Sequence, residues 1–364
     1  MRNKFKYGAG LVLIGWLILQ NLSAAEPGED PWGGDQCLDP MRCEAEVINP
    51  AGELSFGSQA ILESCWSEKD LEGSLWDRRV VGSAVNRNPP ARQFPIHSLT
   101  ALKPELWNSI RSVNPAGGKK VIALTFDLCE RANEITGYDS AIVNYLRKNR
   151  IPATFFASGK WLQDHPEKAM QLMADPWFEI GNHGWTHDDL RMEKGIRMED
   201  QILWTQAEYE LIRERLKARP CAQKAGPAEM NKIPRIPLAF RFPYGVCSKE
   251  ALEYLAQVGL PAIQWSIVSA DPAKNRTPRQ IARSVLKNVR PGAIIICHAN
   301  GLGHSTARAL PIFIPKLKQM GYEFVTVSGL LSSGPVFAAE DCYELKPGDN
   351  WRYDKIYGGK KSKN

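Results

Sequence analysis

From Val121 onward, short apolar runs alternate with amphipathic stretches. The runs cover residues 121–127, 153–158, 178–182, 239–242, 262–268, 293–298 and 324–327. They are rich in β-branched and aromatic side chains and are continuously apolar, the mark of strands buried on both faces. Between them, residues 140–148, 198–216, 249–258, 278–288 and 307–320 place apolar side chains at helical spacing. Strands alternating with helices predict parallel strands covered by helices. About seven such units in roughly 210 residues predict a barrel-like α/β fold rather than a short open sheet. No internal sequence repeat is present. Residues 219–237, Pro-rich and carrying Cys221, read as a surface loop.

The flanks have a different character. Residues 1–7 are basic, residues 8–22 are mostly apolar, and Ser23-Ala24-Ala25 supplies small residues. This layout predicts a secretory signal over 1–25, cleaved after Ala25. The apolar stretch is short for a bilayer span, and no second run approaches that length. The expectation is an exported protein, periplasmic or extracellular, with no membrane span after cleavage. Its eight cysteines would then sit in an oxidising compartment, some of them paired. Residues 26–106 hold Cys37, Cys43 and Cys65, show no sustained period and read as an irregular extension. The predicted catalytic domain is 107–331. Residues 332–364 form a tail, a strap or disordered segment that Cys342 could tether.

Composition narrows the class. The 364 residues are 43% hydrophobic and 24% charged, a globular balance that argues against disorder, collagen or a multi-span membrane protein. The formal charge of +6 could suggest a nucleic-acid partner. However, Arg2, Lys4, Lys6, Lys360, Lys361 and Lys363 account for all of it, so the body is neutral. No basic stripe is interleaved with aromatics, and nucleic acid is not an expected partner.

The candidate chemistry lies at the ends of the strands, where reactive groups of such folds gather. Asp127 ends the first run. His183 and His187 follow the third, in Asn182-His183-Gly184-Trp185-Thr186-His187. Arg241 opens Arg241-Phe242-Pro243-Tyr244-Gly245, Asp271 follows the fifth run, and His298 ends the sixth. Taken singly, each has an ordinary structural explanation: a helix cap, an ion pair, a core histidine. Taken together and in order on one face, they point to a functional site in which both imidazoles could meet one divalent ion.

The ordered set Thr125-Phe126-Asp127, His183-Gly184-Trp185-Thr186-His187, Arg241-Phe242-Pro243-Tyr244, Asp271 and Ile296-Cys297-His298 resembles the polysaccharide deacetylases, over about residues 121–331. The resemblance implies a distorted (β/α)7 barrel, one divalent ion (zinc being the expected one), and hydrolysis of an acetamide on a polysaccharide or oligosaccharide. It implies His183 and His187 as metal ligands, Asp127 as general base held by Arg241, and His298 as general acid supported by Asp271. It also places substrate contacts at Pro243, Tyr244, Ile296 and Trp265, with the Tyr244 backbone N–H facing the oxyanion. A non-catalytic glycan-binding protein, an O-acetyl esterase and a deformylase are the alternatives.

The chain departs from that family pattern at Leu128, where a metal-binding aspartate is usual. Cys129, Glu130, Asp188 or Asp189 could replace it, water could fill the position, or the chemistry could be lost. A Cys129–Cys247 disulfide bracing the rim is the expectation that would remove Cys129 from the metal. Gly184 stands where a hydroxyl residue is common. Val268 and Pro272 replace an aspartate and a tryptophan, which affects the groove more than the reaction type.

Overall fold

The structure, a computed structural model, describes residues 56–350 and the short strand Glu46–Ile48. The signal expected over 1–25 lies outside the described residues, as do Cys37 and Cys43. Among the described residues no helix is long and apolar enough to cross a membrane.

Six strands form the central parallel sheet: β1 Val121–Leu128, β2 Ala153–Ala157, β3 Phe178–Asn182, β4 Ile267–Val268, β5 Ile294–His298 and β6 Glu323–Val325. Their order is β3-β2-β1-β5-β4, with β6 paired to the start of β1. Single bridges Asn182↔Phe240 and Phe240↔Ala262 carry the ring from β3 to the segment that leads into β4. Phe240 is thus a seventh stave reduced to bridges, and the result is a distorted (β/α)7 barrel. The expected run 239–242 forms no regular strand.

The helices follow the amphipathic stretches closely. They include α1 Gln59–Cys65, α2 Ser140–Lys148, α3 Pro166–Ala174, α4 Ile196–Ala218, α5 Lys249–Gln257, α6 Pro278–Asn288 and α7 Thr306–Gln319. The start of α6 is fixed locally: Thr277 and Gln280 form a capping box and Pro278 occupies the first turn.

Alternation along β1 sorts its side chains into two layers. Ile122, Leu124, Phe126 and Leu128 belong to the layer between sheet and helices, with Ile142, Leu172, Ile212 and Phe313. Val121 and Ala123 face the barrel interior with Phe156, Ile263, Trp265, Ile294 and Ile296. The interior is therefore packed, and the open chemistry is confined to the carboxyl ends of the strands.

Two disulfides lock the periphery to the barrel. Cys65, ending α1, pairs with Cys221, and Cys247 pairs with Cys342. The segment 219–237 is not the open loop expected. It holds the helical turns Pro220–Ala225 and Pro227–Met230 and buries Ala222, Ile233 and Ile236, because Cys221 must reach α1. The tail runs as strand Val336–Ala339 against Ser109–Val113 and then reaches Cys342. It is a strap.

Candidate active site

Asp127 faces inward near the end of β1, opposite His298 of β5 in the register. Its carboxylate accepts a hydrogen bond from Arg241 Nη1 at 2.7 Å, and its second oxygen lies 3.7 Å from His183 Nε2. The guanidinium is fully buried. It also donates to Thr125 Oγ1 and to the carbonyls of Ile263 and Gln264, and it lies 4.1 Å over the Phe156 ring. A planar cation held at this many points leaves the carboxylate little freedom. Burial alone would raise the Asp127 carboxyl, but Arg241, His183 and His298 outweigh it and hold it below the usual carboxylate range.

His183 and His187 sit on the loop after β3. His183 Nδ1 lies 2.8 Å from the Arg241 carbonyl oxygen, an acceptor, so Nδ1 carries the proton and Nε2 presents its lone pair inward. Cys129 Sγ is 3.5 Å from that Nε2. The His187 ring packs edge-on against His183 and against Tyr244, with centroids 4.8 and 4.4 Å apart. His187 is buried, and its Nδ1 has no hydrogen-bond partner. One donor atom each from Cys129, His183 and His187 all lie within 4.8 Å of one another. An orphaned buried imidazole nitrogen beside a second imidazole and a thiol is a donor set that fits a divalent ion. Burial would raise the Cys129 thiol, yet His187 and His183 outweigh it and bring it well below the usual range.

On the adjacent strand β5, His298 Nδ1 donates to Asp271 Oδ1 at 3.0 Å, which fixes the ring and leaves Nε2 to the cleft. Asp271 is buried and accepts from Ser269, Thr306 and the His298 backbone N–H. Burial would lower the imidazole, but Asp271 dominates and holds it well above its ordinary value. Backbone strain gathers here too. Of the four non-glycine residues with left-handed φ among those described, His187, Tyr244 and Ala270 all line this cleft.

The cleft measures about 530 Å³ and is lined by Asp127, Cys129, His187, Tyr244, Trp265, Asp271, Ile296 and His298. Gly245 is required beneath it, because a Cβ there would meet the Trp265 ring at 2.4 Å. The strap forms one side: Trp265 Nε1 donates to the Glu344 carbonyl, and Arg111 donates to the carbonyls of Tyr343 and Glu344.

Several sequence expectations are corrected. The Cys129–Cys247 bridge does not form: Cys247 is bonded to Cys342 and Cys129 is a free, buried thiol. The turn through Tyr244 and Gly245, both left-handed, carries Cys247 into a separate cluster with Cys342. Glu130 is held by Lys160 Nζ and by Thr136, with His165 at 3.7 Å, and is not grouped with His183 and His187. Asp188 is bound by Arg87 and Thr186, and Asp189 by Arg191. Pro243 packs beside Gly184 and does not line the cleft, unlike Tyr244, Ile296 and Trp265. Gly184 itself adopts φ +74°, so its missing hydroxyl reflects a left-handed turn. Sequence reading missed Thr306, Asn300 and the strap residues, whose positions along the chain carry no motif.

Residues 114–263 match the family model for polysaccharide deacetylase. A chitooligosaccharide deacetylase of Bradyrhizobium sp. (strain ANU 289) is 30% identical over 225 residues, covering 58% of this chain and 91% of that protein. A peptidoglycan-N-acetylglucosamine deacetylase of Listeria monocytogenes is 29% identical over 221 residues, covering 61% of this chain and 41% of that one. Among solved structures, a mutant of a Bacillus anthracis carbohydrate esterase family 4 pseudoenzyme, with restored enzymatic activity, is 25% identical at a TM-score of 0.50. It covers 65% of this chain and 74% of that one. The chain belongs to the polysaccharide deacetylase family.

Proposed function

We propose that this family member is an exported hydrolase that removes N-acetyl groups from an amino-sugar polymer, of the peptidoglycan, exopolysaccharide or chitin-like kind. The observation that carries the reading is the pairing of Asp127 with Arg241 and of His298 with Asp271 on adjacent strands of one cleft. The two disulfides support export, since such bonds persist in oxidising compartments.

His183 and His187 would hold one divalent ion, zinc by donor type, which lowers the pKa of water to about 7 and polarises the acetamide carbonyl. The chain's own groups handle the protons. Asp127, kept ionised by Arg241, takes the proton of the attacking water as its oxygen bonds to the carbonyl carbon. The Tyr244 backbone N–H is the donor assigned to the developing oxyanion. His298, kept protonated by Asp271, gives its proton to the sugar nitrogen as the C–N bond breaks, releasing acetate and a free amine. Ile296 and Trp265 form the apolar floor for the acetyl methyl.

Leu128 favours a second reading, a glycan-binding protein without turnover, and one solved neighbour is named a pseudoenzyme. Acetate and formate release from N-acetylated and O-acetylated glycans separates the possibilities. Acetate release from N-acetyl substrates, falling about 100-fold or more in Asp127→Asn with glycan binding kept, supports deacetylation. Binding without release, indifferent to that substitution, supports the second reading.

A further inference from the structure

We propose that Cys129 is the third protein ligand of this site, so that a thiolate replaces the carboxylate expected one residue earlier; the assignment rests on the deacetylase reading for where the ion sits. The argument begins with strand parity. Asp127 and Cys129 are two residues apart and share the cleft-facing side of β1, whereas Leu128 is wholly buried in the opposite layer. The Leu128 side chain packs in that opposite layer and not against the histidines. At 129 the sulfur already lies 3.5 Å from His183 Nε2 and within 4.8 Å of a His187 nitrogen.

Two further observations turn a lone thiol into a site. His187, buried, keeps an Nδ1 with no partner beside it. The Cys129 carbonyl is clamped from two sides, by Thr136 Oγ1 and by Asn300 Nδ2, each at 2.8 Å. That clamp fixes the residue in the way outer groups fix metal ligands. The thiol is free of disulfide, and the acidic residues that could compete are held by other partners.

Two imidazoles and one thiolate make a three-ligand site with a position left for water or substrate, the pattern of catalytic zinc. Such a donor set takes zinc, cobalt or cadmium, and rejects the harder magnesium, calcium and manganese that an aspartate would admit.

The test is cobalt(II) loading of the mature protein. The expected result is about one cobalt per chain with an intense near-ultraviolet sulfur-to-cobalt charge-transfer band. Cys129→Ser should abolish the band and weaken cobalt binding by about 10-fold or more, while Cys297→Ala, which removes the other free thiol among the described residues, keeps both. Cys129→Asp, which preserves a ligand and guards against simple misfolding, should bind without the band and shift preference toward manganese. Bound ion should also protect Cys129 from iodoacetamide. Stoichiometric cobalt without the band, or alkylation of Cys129 unaffected by the ion, overturns the assignment. A band without acetate release from any glycan leaves the ligand standing and sinks the deacetylase reading; acetate release without the band does the reverse.

Discussion

The substitution Leu128→Asp restores the residue type that the family carries at this position, and with the side chain kept in the layer that Leu128 occupies it will not restore a ligand. Leu128 is wholly inaccessible in the layer between sheet and helices. Removing a buried leucine side chain costs about 2–5 kcal/mol, and an aspartate fills that space only in part. Burial in that apolar layer raises the pKa of the new carboxyl, and it binds a proton when it can. For an acid with a raised folded-state pKa, stability is fullest below the unfolded value, near 4. It falls as pH rises toward the folded value, by about 1.4 kcal/mol per unit. We expect a loss of about 3 kcal/mol at pH 5 that grows to about 5 kcal/mol or more at pH 8. Urea denaturation at both pH values measures the loss, and zinc titration by competition with a chelator measures the ligand set. If the variant is as stable as the parent and binds zinc more tightly, the parity argument is wrong and the aspartate can reach the histidines.

Two other predictions concern the frame. Cys247→Ser with Cys342→Ser releases the strap that bonds Trp265 and borders the cleft, so KM should rise about 10-fold with kcat reduced much less. Steady-state kinetics well below the unfolding temperature decide it, and an unchanged KM would show that the strap only stabilises. Glu208, buried in α4 with Oε1 unpartnered, is pushed by burial to a pKa of about 7. Its raised value means stability is full below about 4.5 and is lost as pH climbs through 7. Glu208→Gln should therefore be more stable than the parent by about 2 kcal/mol at pH 8 and by little at pH 5, checked by chemical denaturation.

The sequence made the barrel legible because buried parallel strands and amphipathic helices leave strong periodic signals. The helices Ser140–Lys148 and Pro278–Asn288 have the bounds their patterns predict. The run around Phe240 did not become a strand, since the chain must turn at once through Pro243 and the left-handed Tyr244 to present the cleft. Cysteine pairing was not legible. A disulfide depends on where Cβ vectors meet, and two left-handed residues between Arg241 and Cys247 redirect the chain away from Cys129. The groups that hold the site, Thr125 on Arg241 and Thr306 on Asp271, are ordinary threonines whose role exists only after folding.

What distinguishes an altered site from a dead one is which parts have moved. The buried guanidinium on Asp127 and the buried carboxylate on His298 compensate buried charges that would be costly if left unpaired. Here both pairs are complete, and Arg241 and Asp271 have additional bonds to neutral partners. At the ligand position, the loss of a carboxylate at 128 coincides with a thiol at 129 that lines the cleft. A carboxylate lost to drift leaves an ordinary apolar residue and nothing beside it. A carboxylate exchanged for a thiolate leaves the proton-handling residues intact and changes only which ion binds. The proposed Cys129 ligand belongs to the second pattern, and it predicts that this chain differs from its relatives in metal preference.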